Sequence, residues 1–93
     1  MKIARWVILA ALVVSQSALA LSTIEFMKME PIAQMQVIKP IMLRFLSRGF
    51  KRVPSNEFTL IGRIEKIAYE KGYTFQNIET VAEEAAVSLG MER

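Results

Sequence analysis

Apolar residues recur along most of this chain with the period of an α-helix, and no window alternates with period two for long enough to make a strand. From Glu57 to Lys71 the apolar set is Leu60, Ile61, Ile64, Ile67 and Ala68, a 3.6-residue pattern on one face. Pro54-Ser55-Asn56 supplies a turn and an N-cap before it, and Glu57 falls in the first turn, where a negative charge suits the helix dipole. Lys66 and Glu70 are spaced to pair at i, i+4, and Gly72 is a natural residue to follow the C-terminus. A final helix is expected with the stripe Ile78, Val81, Ala82, Ala85 and Leu89, capped by Thr74 and ended by Gly90, with Met91–Arg93 frayed.

Nearer the start, Ser22-x-x-Glu25 has the form of a capping box, in which hydroxyl and carboxylate each satisfy the other residue's backbone N–H. The short helix it opens holds Ile24, Phe26 and Met27, with Met29 beyond, and Pro31 stops it at or before Glu30. The next apolar segment runs from Ile32 to Phe50. Pro40 in its middle removes a backbone donor and crowds the preceding turn, so a kink or a fresh helix is expected there. Beyond it Ile41, Met42, Phe45, Leu46 and Phe50 form one helical face. The pattern predicts an all-α protein, a small orthogonal bundle of about four helices.

The first 20 residues differ from the rest. Lys2 and Arg5 precede the unbroken apolar run Trp6–Val14, then polar Ser15-Gln16-Ser17, then Ala18-Leu19-Ala20, a small-x-small cleavage site. The apolar run is shorter than the roughly 20 residues needed to span a bilayer. A secretory signal cleaved after Ala20 is therefore expected, with residues 21–93 as a single helical domain, periplasmic or secreted. The alternative is an uncleaved N-terminal anchor. With no cysteine after the segment, lipidation is not expected.

Setting that segment apart changes the composition. The chain is 53% hydrophobic with net charge +3, but residues 1–20 hold 15 of the 49 hydrophobic residues. Residues 21–93 hold 34 in 73, with 10 Lys/Arg against nine Glu, an ordinary globular balance. Cysteine, histidine and aspartate are all absent. That leaves no disulfide, no Cys or His nucleophile or base, and no zinc site of the usual ligand types. The glutamates are scattered and the serines have no base partner, so an enzyme is not expected, and neither is a cofactor or a metal. A bundle of this size has a marginal core. It either stands alone as a four-helix monomer or buries further apolar surface against a partner, a second copy included.

Charge is placed unevenly. Lys39, Arg44, Arg48, Lys51 and Arg52 fall in a stretch without an acid, whereas Glu79, Glu83, Glu84 and Glu92 crowd the last helix and its tail. The cations could bind an acidic partner. The simpler account is that they favour a helix C-terminus, or that the two sets face each other across the bundle or a dimer. The mature net charge of +1 and the lack of a reader motif speak against nucleic acid. The five mature methionines, Met27, Met29, Met35, Met42 and Met91, suit either gap-filling in a small core or adaptable protein binding. The candidate partner-binding residues are Arg44, Arg48, Phe50, Lys51 and Arg52, in and beside the basic, turn-rich segment Ser47–Asn56, with Phe50 and Val53 available to a partner.

The signal-like segment, the short first helix with Glu25-Phe26-Met27, the longer apolar helix, the basic turn and a final helix opening with Thr74-Phe75-Gln76-Asn77-Ile78 together resemble the HdeA-type periplasmic acid-stress chaperones. The likeness spans most of residues 22–87. It implies a helical homodimer that dissociates and exposes apolar surface at low pH. That family's disulfide has no counterpart here, since the positions near Thr23 and Ala68 are not cysteine, and with no His any acid response falls to Glu. The general plan is also similar to the Tai-type immunity proteins, which bind secreted amidase toxins and normally carry disulfides. The expected function is an exported, non-enzymatic protein acting by protein–protein contact, an HdeA-like stress chaperone. The alternative is a periplasmic inhibitor of one cognate exported enzyme, and a third is a membrane-tethered subunit if the signal is retained.

Overall fold

Ser22 begins the first helix as its spacing predicts. In the computed structural model, which describes residues 21–93, its hydroxyl accepts from Glu25 N–H at 3.3 Å and the Glu25 carboxylate reaches back to Ser22, closing the capping box. The signal-like segment 1–20 and its cleavage boundary lie outside the described residues. Four helices follow: α1 Thr23–Met27, α2 Pro31–Ser47, α3 Glu57–Lys71 and α4 Ile78–Ser88. The described chain is an all-α bundle, in which α4 packs mainly on α3 while α2 lies against both.

Pro31 ends the first helical stretch by serving as the first residue of the next, where a missing N–H costs nothing. Pro40, by contrast, neither divides α2 nor starts a new helix. The helix runs through it from Pro31 to Ser47. Pro40 is exposed, so the Gln36 carbonyl that proline leaves without a helical donor lies on the water side. Ile38 on one side of it and Ile41, Met42 and Phe45 on the other are buried in the same core. Burying side chains of this kind contributes about 1.5–3 kcal/mol each, and four of them outweigh the roughly 3 kcal/mol an internal proline costs.

The core joins Phe26, Ile38, Ile41, Met42, Phe45, Leu60, Ile61, Ile64, Ile67, Ile78, Val81 and the alanines Ala82, Ala85 and Ala86. The small residues of α4 allow close approach to α3, which explains why those two helices make the most extensive pairing. Met42 and Met91 are buried, while Met27, Met29 and Met35 pack against the edge of the core, so the methionines fill gaps. No buried side-chain polar atom among the described residues lacks a partner. Gln34, the one buried side-chain amide among the described residues, donates to the Phe26 carbonyl at 3.1 Å and ties α2 to α1.

The helix ends share one device. After α2, α3 and α4 the glycines Gly49, Gly72 and Gly90 take positive φ, and the following residue donates back five positions: Phe50 to Phe45, Tyr73 to Ala68, Met91 to Ala86. This is the Schellman closure, and it turns the next side chain toward the helix it has just left. Two expectations fail for that reason. Met91 is only 3% exposed and Glu92 pairs with Lys51 through both backbone bonds, so the tail is bound and not frayed. Phe50 is 7% exposed, edge-on to Phe45 with ring centroids 5.7 Å apart, and is not presented to a partner.

Thr74 does not cap α4. Its carbonyl accepts from Ile24 N–H at 2.7 Å, and Gln76 accepts from both the backbone and the hydroxyl of Thr23, at 2.8 and 2.9 Å. Ile78 N–H donates to Leu21, closing a clasp between the start of the described chain and residues 74–78. The cap is Asn77, whose side chain accepts from Glu79 N–H at 2.8 Å.

Candidate functional site

The basic residues singled out from the sequence sit on one edge, and the acids of α4 and the tail answer them there. Arg44 Nε donates to the Glu79 carboxylate, Arg48 to Glu83 at 2.9 Å, and Arg52 to Glu92 at 3.3 Å. Arg93 reaches the second Glu83 oxygen at 4.0 Å. Arg48 and Arg93 also stack over the Phe50 ring, 5.0 and 5.5 Å from its centroid. The side chain of Lys51 is exposed while its backbone is held by Glu92. The structure thus brings Arg44, Arg48, Phe50, Lys51 and Arg52 together, with three of the four cations already paired inside the chain. The two charge sets face each other across the bundle, the simpler of the two accounts.

A further pair joins α3 to α4. Lys71 Nζ donates to the Glu84 carboxylate at 2.6 Å, and that hydrogen bond, with the carboxylate's charge, holds the lysine above its ordinary value of 10.5. Lys66 and Glu70 form no ion pair among the described residues. The chain uses the neighbouring Lys71 to bridge elements instead of pairing along one helix.

A different surface is open. Lys39, Met42, Leu43 and Leu46 of α2 form one wall of a groove of about 360 Å³, and Val53, Pro54, Ser55 and Glu57 form the other. Leu43 is 65% exposed and Leu46 57%, although Leu46 was expected on the core face. The core side of α2 is taken by Ile38, Ile41, Met42 and Phe45, which turns Leu46 outward beside Leu43. Phe58 in the next turn and Ile32 at the head of α2 are exposed as well. Neither Lys39 nor Glu57 takes part in an ion pair among the described residues.

The sequence did contain a signal for this surface. Ile32, Gln36, Lys39, Leu43 and Leu46 follow each other at steps of four, three, four and three, the spacing of a coiled-coil seam. Placing a break at Pro40 divides that stripe in two and hides it. All five residues are exposed, on one face of the unbroken helix.

Among the described residues no three His, Cys, Asp or Glu side chains converge as a metal site, and no helix is long and apolar enough to cross a membrane. No family model, curated protein or solved structure matches the chain.

Proposed function

We propose that this is an exported, non-enzymatic helical protein that works by protein–protein contact, a stress chaperone of the HdeA type. The observation that carries the proposal is the apolar groove beside α2, where leucines more than half exposed stand on a helix whose other face is buried in the core. Exposed apolar side chains cost solubility, and contiguous ones mark a surface that meets another protein. The chaperone form of the reading draws on the ion pairs. Each of those that join the elements ends on a Glu carboxylate, a group that acid neutralises. Sedimentation at pH 7 and pH 3, beside a client-aggregation assay, tests it. The expected result is a change of association state at pH 3 together with suppressed client aggregation, and an unchanged, fully folded species that protects nothing overturns it. Export is tested by intact mass, expected to begin at Leu21 and contradicted by a secreted form that retains Met1.

A second reading, an inhibitor of one cognate exported enzyme, is favoured by the groove standing open in the folded chain, since a preformed surface needs no acid to expose it. Stoichiometric co-purification with a single exported hydrolase, lost on Leu43→Glu, would carry this reading over the first.

A further inference from the structure

The stripe on α2 has a charge at its centre, and that charge bears on what covers it. Ile32, Leu43 and Leu46 are apolar seam positions, Gln36 and Lys39 are polar ones, and all five are exposed. Seam spacing on a continuous helix presents knobs and holes to another helix lying nearly along it. A lysine at a seam position costs stability against an apolar partner and selects a partner able to satisfy it.

A second copy of α2 is poorly suited. Residues 31–47 include Lys39 and Arg44 but no acid. Parallel pairing sets Lys39 against its own counterpart. Antiparallel pairing that overlaps the whole stripe does the same, and shifting the register by one seam position sets Lys39 against Gln36 or Leu43, neither of them an acid. The one carboxylate lining the groove, Glu57, stands on the opposite wall and not on the stripe. No pairing of α2 on α2 from two copies gives this lysine an acid from the facing helix.

From this mismatch we infer that the outer face of α2 docks an amphipathic helix of another protein, one with leucine-type residues at coiled-coil spacing and an Asp or Glu opposite Lys39. The groove takes the apolar anchors between Leu43, Leu46, Val53 and Pro54, and the acid reaches Lys39, whose ammonium has no ion-pair partner among the described residues. The seam fixes where the helix lies, and the charge fixes which helix is accepted. The inference rests on the protein-contact reading above and specifies its partner.

The probe is a synthetic amphipathic helix of about three heptads with Leu at the seam positions and a single central Glu, compared with the same peptide carrying Lys there. Binding is measured by fluorescence anisotropy against the mature protein, with far-UV circular dichroism confirming that each variant is folded. The Glu peptide is expected to bind roughly tenfold more tightly than the Lys peptide. Lys39→Glu should invert that preference, and Leu43→Glu should abolish binding of both peptides. Equal binding of the two peptides, failure of Lys39→Glu to invert them, or unchanged binding by folded Leu43→Glu overturns the inference. So does a dimer of the protein alone that Leu43→Glu dissociates, since the face would then belong to a second copy. A client still bound by Leu43→Glu through the basic edge would leave the protein-contact reading standing while removing this one.

Discussion

Replacing Phe45 with alanine tests how α2 is held more directly than any surface change. Phe45 is fully buried, lies on the core side of α2 five residues after Pro40, and meets the Phe50 ring edge-on at 5.7 Å. Truncating a buried phenylalanine costs about 3–5 kcal/mol through lost transfer energy and the cavity left behind. A domain of 73 residues has a stability of about 4–11 kcal/mol at 0.05–0.15 kcal/mol per residue, so the change removes at least about a quarter of it. At roughly 4–8 °C per kcal/mol for this size, the melting temperature should fall by about 12–40 °C. Thermal melts followed by far-UV circular dichroism measure this directly. Because Phe50 supplies part of the environment, Phe45→Ala and Phe50→Ala should also couple, by about 0.5–1.5 kcal/mol in a double-mutant cycle. A Phe45→Ala variant melting within about 2 °C of the parent would place Phe45 outside the core, and full additivity with Phe50→Ala would remove the ring contact.

Three further outcomes follow from local geometry. Thr23→Val should cost only about 1 kcal/mol by urea denaturation, because the Gln76 carbonyl that loses the hydroxyl keeps the Thr23 backbone N–H; a loss above about 3 kcal/mol would mean that the clasp does more than these two bonds. Gly49→Ala and Gly62→Ala should move stability in opposite directions, both positions having open space around an added Cβ. Gly49 has φ +87° and loses about 1–2 kcal/mol, whereas helical Gly62 gains about 0.5–1 kcal/mol, and a common sign in thermal melts would refute the assignment. Lys71 is held above 10.5 by Glu84, so its contribution is present below that pH and is lost as pH rises through the higher folded value. The stability difference between the parent and Lys71→Met should be flat from about pH 7 to about pH 10 and shrink above 10.5; a gap that already closes near neutrality contradicts it.

What the sequence made legible was whatever a single helix decides for itself. The limits of α3, the Ser22–Glu25 box, the Asn56 cap and the glycine after Lys71 all depend on residues within a turn or two, and each is found in place. The opposed charge sets were also readable, because segregated cations and anions in a small bundle have few ways to avoid meeting. Long-range pairing was not readable. Asn77 rather than Thr74 caps α4 because residues 74–76 are claimed by α1 some fifty positions earlier, and the tail beyond Met91 is held because Glu92 finds Lys51 across the molecule. Pro40 does not start the fresh helix allowed for there, and the reason is related. Its local cost is real, but buried neighbours on both sides outweigh it, and the continuous helix turns Leu43 and Leu46 outward along one seam. The candidate site was therefore half visible: the basic edge was found, and its role as an internal staple was among the readings, while the groove on the far side of the same helix was not.

We propose that this protein meets its partner through the outer face of α2. Site-specific photo-crosslinking in the cell that makes the protein tests it most directly, with a photoreactive residue at Leu43 in one strain and at Tyr69, exposed on α3, in another. The predicted result is an adduct of defined mass from position 43 and none from position 69. Absence of an adduct at position 43, or the same adduct from both positions, would contradict it.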